Sequence, residues 1–182
     1  MKYEIKTYGD AVLRKKAVPV DKIDDAIRQI AKDMLTTMYR TNGLGLAAEQ
    51  IGRTEAMCVM DLPEAVDVDE TTKQRQNPDV KMPIVMINPV ILEMEGTQVG
   101  KEGCLSFPEI FVTIKRANEV TVKFKNLSGK EETLKAKGLL ARTVQHEVDH
   151  LNGILLVNRM SAVQKISFAG KLKKLKKSHQ KD

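Results

Sequence analysis

Tryptophan is absent from this chain, aromatic residues make up only 4% of it, and cysteine occurs twice. Two cysteines cannot build the disulfide framework of a small secreted domain, so the sequence fits a reducing compartment. Scarce aromatics leave little to stack on bases, and no DNA readout is expected. No apolar run approaches the roughly 18 residues that cross a bilayer, so no membrane is expected as a partner. Met1-Lys2-Tyr3-Glu4-Ile5 lacks the charged-then-apolar pattern of a secretory leader, and a cytoplasmic location follows. Internal repeats and interdomain linkers are also missing. The 182 residues, 42% of them hydrophobic, read as one domain over 1–182 with a core of workable size.

Charge is present in quantity but unevenly placed. Of 30 basic and 24 acidic residues, seven lysines and one acid fall within residues 165–182, so the rest of the chain is balanced and the whole positive excess sits in the tail. Between Ala162 and Lys177, Ile166, Ala169, Leu172 and Leu175 recur at three- to four-residue spacing among lysines. That pattern predicts a basic amphipathic helix over 162–180, an electrostatic footprint for phosphate backbones or anionic surfaces. Residues 62–81 are mixed-charge with few large apolar side chains, and read as a mobile surface insertion.

Periodicity supplies the coarse architecture. Asp21 is positioned to cap a first helix that lines up Ile23, Ile27, Ile30, Met34 and Met38 and stops at Asn42-Gly43. Strand-like runs follow at 56–60, 84–87, 90–94, 96–101, 111–115, 119–125 and 131–135. Leu139, Leu140, Val144, Val148 and Leu151 then form a helical stripe ended by Asn152-Gly153. The expected fold is α+β: mostly antiparallel sheets packed around this buried helix, with further helices near each end.

The buried helix carries the chemistry. In Gln145-His146-Glu147-Val148-Asp149-His150 two histidines stand four apart, one helical turn, where both imidazoles can reach one divalent ion. Glu147 then projects beside the ion and can take a proton from a water bound there, the use of H-E-x-x-H spacing in metal-assisted hydrolysis. A catalytic tetrahedral site needs a third protein ligand and one open position. Downstream only His179 and Asp182 remain, so the third ligand comes from upstream, where two cysteines and scattered acids are available. Cys58, within Ala56-Met57-Cys58-Val59-Met60, suits a core strand. Cys104, within Glu102-Gly103-Cys104-Leu105-Ser106, follows a glycine and precedes Phe107-Pro108, a better setting for a thiolate.

Together with Gly43-Leu44-Gly45-Leu46-Ala47-Ala48-Glu49-Gln50, these two segments resemble the three signature motifs of the peptide deformylases, in order. The resemblance extends to the Tyr8-Gly9-Asp10 opening, Asn88-Pro89 and Leu151-Asn152-Gly153. Glu49 departs from the pattern, which favours an uncharged residue there. The resemblance implies Cys104, His146 and His150 as ligands, usually of Fe2+, with zinc, nickel or cobalt as substitutes by ligand softness. It implies Glu147 as general base and acid, Gln50 and the Leu105 N–H as oxyanion donors, and a formyl carbonyl attacked by the activated water. Gly45 would meet the substrate backbone, and Leu44, Leu139, Arg142, Thr143 and His146 would surround the methionine side chain. Glu102 and Gln145 would orient the ligands, while Asp149 and Arg116 would form a structural ion pair. The implied partners are nascent formylated polypeptides and, through the basic tail, the ribosome; a monomer is expected. A general metallopeptidase, or a ribosome-associated protein with a structural metal, are the competing readings.

Overall fold

The computed structural model describes residues 3–178. Helix α1 (Asp25–Arg40) is followed by strands β1 (Gly45–Ala47), β2 (Met57–Met60), β3 (Ile84–Glu95), β4 (Gln98–Gly103), β5 (Phe111–Arg116), β6 (Glu119–Lys125) and β7 (Glu131–Lys137). Helices α2 (Gly138–Leu151), α3 (Leu156–Arg159), α4 (Ala162–Ser167) and α5 (Ala169–Ser178) complete the order. The strands form a five-stranded sheet in the order β1-β2-β3-β6-β7 and a separate β4-β5 pair, all antiparallel. This is the mixed α+β architecture with antiparallel sheets that the periodicity predicted.

Two helices cover the two faces of the larger sheet, which explains why β2 is buried at all four positions. Alternate side chains divide between them: Cys58 and Met60 join the cluster containing Leu140, Ala141 and Val144 of α2, whereas Met57 and Val59 join Ile27, Ile30, Met34 and Met38 of α1. Each fully buried side chain of that kind contributes about 1.5–3 kcal/mol, so the sheet and both helices depend on one another. A third cluster places Phe107, Val112 and Ile114 against Leu155, Leu156, Met160 and Leu172.

Several boundaries differ from expectation. The cap of α1 is Asp24, whose carboxylate accepts from the Ile27 N–H, and not Asp21; the helix starts where a side chain can reach its third amide. Runs 84–87 and 90–94 are one strand with a register shift between Ile87 and Val90, because Asn88 takes a left-handed φ of 53° and Pro89 has no N–H to pair. Strand β1 is an element that periodicity missed; three residues are too few to alternate visibly. The basic tail is two helices, α4 and α5, with Phe168 between them. Phe168, Leu172 and Leu175 pack on the third cluster, while Ile166 is 77% exposed. Residues 179–182, including His179 and the end of the expected helix, lie outside the described residues.

Segment 62–81 carries more internal bonding than its composition suggests. Asn77 is 4% exposed, donates to Asp67 and to the Lys137 carbonyl, and accepts from the Lys137 N–H. It thus ties the segment to the start of α2. Gly138, the first residue of α2, has φ +54°, and a Cβ there would run into the Gln76 side chain.

Candidate active site

Helix α2 and the β4–β5 connection bring three ligand-type atoms together. Cys104 Sγ lies 3.3 Å from His150 Nε2, the two imidazole Nε2 atoms are 3.3 Å apart, and all three donors fall within 4.8 Å of one another. Cys58, 0% exposed in β2, belongs to the core, and its thiol is raised well above its ordinary pKa by burial. One soft thiolate and two borderline imidazoles suit a divalent transition ion. The electrostatics fit as well: although burial disfavours its charged form, the His146 pKa is raised well above the ordinary value by Cys104 and Glu102. Cys104 and Glu102 thus favour the charged form of that ring. His150 goes the other way, lowered by burial and by the neighbouring His146.

The support of His146 is a network of buried ions. Glu102 accepts from His146 Nδ1 at 3.2 Å, from Arg116 Nε at 2.9 Å and Nη2 at 3.0 Å, and from Arg142 Nη1 at 2.6 Å. Burial opposes its ionisation, but His146 and Arg116 outweigh it and hold the carboxyl well below the usual carboxylate range. Arg116 also pairs with Asp149, which pairs in turn with Arg159. The predicted Asp149–Arg116 ion pair is thus one link of a longer chain that ends on a metal-ligand candidate.

Glu147 is 3% exposed, and its Oε2 has no hydrogen-bond partner. Burial raises its pKa to about 7, with His146 and Arg116 pulling partly the other way. Gly45 makes room for this carboxylate: a Cβ on Gly45 would overlap Glu147 Oε1. Glycine is therefore required here by the acid.

Gln50 is oriented by its own turn. Its Oε1 accepts from the Ala47 N–H at 2.9 Å, so its amide Nε2 faces Cys104 Sγ at 3.6 Å and Ser106 Oγ at 3.3 Å. Ser106 was not singled out beforehand as a partner, although it closes the motif that contains Cys104. Neighbouring Glu49 is 0% exposed with neither carboxylate oxygen partnered. Burial raises its pKa to about 8 against the pull of its own backbone, with Glu147 and Glu55 adding repulsion. Near neutral pH the uncharged form of this acid is therefore favoured.

A cavity of about 470 Å³ opens beside the cluster, lined by Leu44, Gly45, Gln50, Leu105, His146 and Glu147 among others. Leu139, Arg142 and Thr143 line it too. Two of the expected residues make further contacts. Arg142 directs its guanidinium to Glu102, to Gln98 and to the Ile114 carbonyl, leaving only Nη2 without a partner. Besides lining the cavity, it thus supports Glu102. Gln145 does not reach a ligand side chain; its amide clasps the Ala117 N–H and C=O and the Ala141 carbonyl, pinning α2 to the β5–β6 corner.

Comparison with known proteins identifies the family. The family profile of polypeptide deformylase matches residues 2–166. A peptide deformylase of a Thermotoga species is 41% identical over 171 residues, covering 93% of this chain and 94% of the relative. The crystal structure of the Thermotoga maritima peptide deformylase superposes with a TM-score of 0.77 at 41% identity, over 88% of this chain and 99% of the other. That of the Ehrlichia chaffeensis enzyme gives 0.85 at 35% identity, over 100% and 99%. With a family match over residues 2–166 and a relative 41% identical over 93% of its length, the chain belongs to the polypeptide deformylase family.

Proposed function

We propose that this protein is a metal-dependent hydrolase that removes the N-formyl group from the formylmethionine of nascent polypeptides and releases formate. The observation that carries this reading is the convergence of Cys104, His146 and His150 within 4.8 Å, beside an acid whose oxygen is unspent. A divalent ion held by these residues supplies activation of water and polarisation of a carbonyl at neutral pH.

The rest is the work of the chain. Glu147, titrating near 7, takes the proton of the attacking water as a C–O bond forms at the formyl carbon, and passes it to the amine nitrogen as the C–N bond breaks. Gln50 Nε2, aimed by the bond its Oε1 accepts from the Ala47 N–H, and the Leu105 N–H donate to the oxyanion. Strand β1 is an edge of the sheet, so the substrate backbone can add beside Gly45, with Leu44, Leu139, Arg142 and Thr143 around the methionine side chain. Glu102 holds His146 in one orientation.

The working metal in this proposal is ferrous iron, for which zinc, nickel or cobalt can substitute. A thiolate beside Fe(II) is open to oxidation, so activity should fall in air. An anaerobic preparation no more active than an aerobic one would count against iron. The protein acts as a cytoplasmic monomer at the ribosome, reached through the exposed lysines 171, 173, 174, 176 and 177 of α5. The test of the reading is formate release from a formyl-methionyl tripeptide by anaerobic, Fe(II)-loaded protein. Full metal occupancy without release would overturn it.

A further inference from the structure

Helix α2 has a second concave side. Its motif face, with His146 and Glu147, lines the cavity described above, whereas Gln145, Val148, Asp149 and Asn152 face a separate cleft of about 870 Å³. That volume lies within the roughly 300–1,000 Å³ that takes a small organic molecule. Its wall is apolar where a solvent-facing wall would ordinarily be polar. Val90 is 54% and Met94 61% exposed there, beside half-buried Ile91, Val148 and Ile154. Such a patch on a concave surface is a mark of binding.

Charge at the cleft is one-sided. Lys16 and Lys115 stand exposed along it, and neither enters an ion pair among the described residues. The one acid in its lining, Asp149, is already held by Arg116 and Arg159. An occupant therefore meets an apolar trough with two unspent ammonium groups and no free carboxylate. We propose that this cleft binds a small amphiphilic anion, an apolar acyl or aryl chain ending in one carboxylate, at a site separate from the Cys104–His146–His150 cluster. The carboxylate pairs with Lys16 or Lys115, and the chain covers Val90, Ile91, Met94 and Val148. Arg116 borders this cleft and also holds Glu102 against His146, so the occupied site adjoins the support of the metal-ligand candidates.

Because the chain has no tryptophan, Met94→Trp gives a single fluorophore in the cleft. Sodium decanoate titrated into zinc-loaded Met94→Trp protein below its micelle threshold should shift the emission saturably. The same titration of the unsubstituted protein, followed by amide NMR, should perturb Ala17, Ile91 and Val148. Lys16→Glu/Lys115→Glu should weaken binding tenfold or more, and decanol should bind at least tenfold more weakly than decanoate. No saturable change in either readout, perturbation at Leu105 and Gly45 instead, or equal binding of decanol would overturn the proposal. So would concentration-dependent dimerisation that decanoate does not compete with, which would assign the cleft to a second copy. None of these readouts requires formyl-peptide hydrolysis, so this proposal and the functional reading fail separately.

Discussion

Glu102 and Glu147 are both buried acids close to His146, at 5% and 3% exposure, yet the structure gives them opposite electrostatics. Around Glu102 two arginines and an imidazole donate four bonds to its two oxygens, and it stays ionised. Around Glu147, and around Glu49 with its two unpartnered oxygens, there are too few donors to repay desolvation, and the pKa rises to about 7 and about 8. Burial alone thus does not decide the charge of an acid; the number of donors aimed at it does. One region anchors with fixed charge, and the other keeps acids that can exchange protons near neutrality.

The sharpest way to break this contrast is Glu147→Ala. Formate release should fall by about 100- to 10,000-fold with bound metal unchanged; near-normal turnover would remove Glu147 from proton transfer. Next is Arg116→Met, which strips a cation shared by Glu102 and Asp149. Breaking a buried pair in this way costs about 3–5 kcal/mol, readable in urea unfolding, with roughly ten- to hundredfold weaker metal binding. A loss below about 1 kcal/mol would mean that Arg142 and Arg159 suffice, since that is the worth of an ordinary surface pair. Gly45→Ala forces the Glu147 carboxylate aside, and should lower turnover about tenfold, equivalent to about 1.4 kcal/mol in the barrier, while thiolate-to-metal absorption bands of a cobalt-substituted sample stay in place.

The substitution most diagnostic of the donor-poor region is Glu49→Leu. The folded state holds the Glu49 proton to about pH 8, whereas the unfolded chain releases it near the ordinary value of 4.5. Its contribution to stability is therefore complete below pH 4.5 and declines as pH rises toward 8, with a slope of at most about 1.4 kcal/mol per pH unit. The substitution should remove that slope, so that variant and parent diverge in urea midpoint from pH 5 to 8 in favour of the variant. Parallel curves would show that Glu49 finds donors in solution.

Much of this molecule follows from local pattern. The i, i+4 spacing of His146 and His150, the apolar stripe around them and the alternation in β6 are set by helix and strand geometry, which a linear chain already encodes. The contrast between Cys58 and Cys104 was readable for the same reason, an apolar run against a glycine-flanked turn. Other features depend on contacts distant in sequence. That Gln145 clasps Ala117, that Arg142 serves Glu102, and that Gly45 yields space to Glu147 arise from separations of 28, 40 and 102 residues, which no local period reports. The protonation states go furthest in that direction. Residue type names an acid at 49, 102 and 147, but only the folded chain brings arginines to one and withholds them from the others, because desolvation and donor count exist only once the chain has packed.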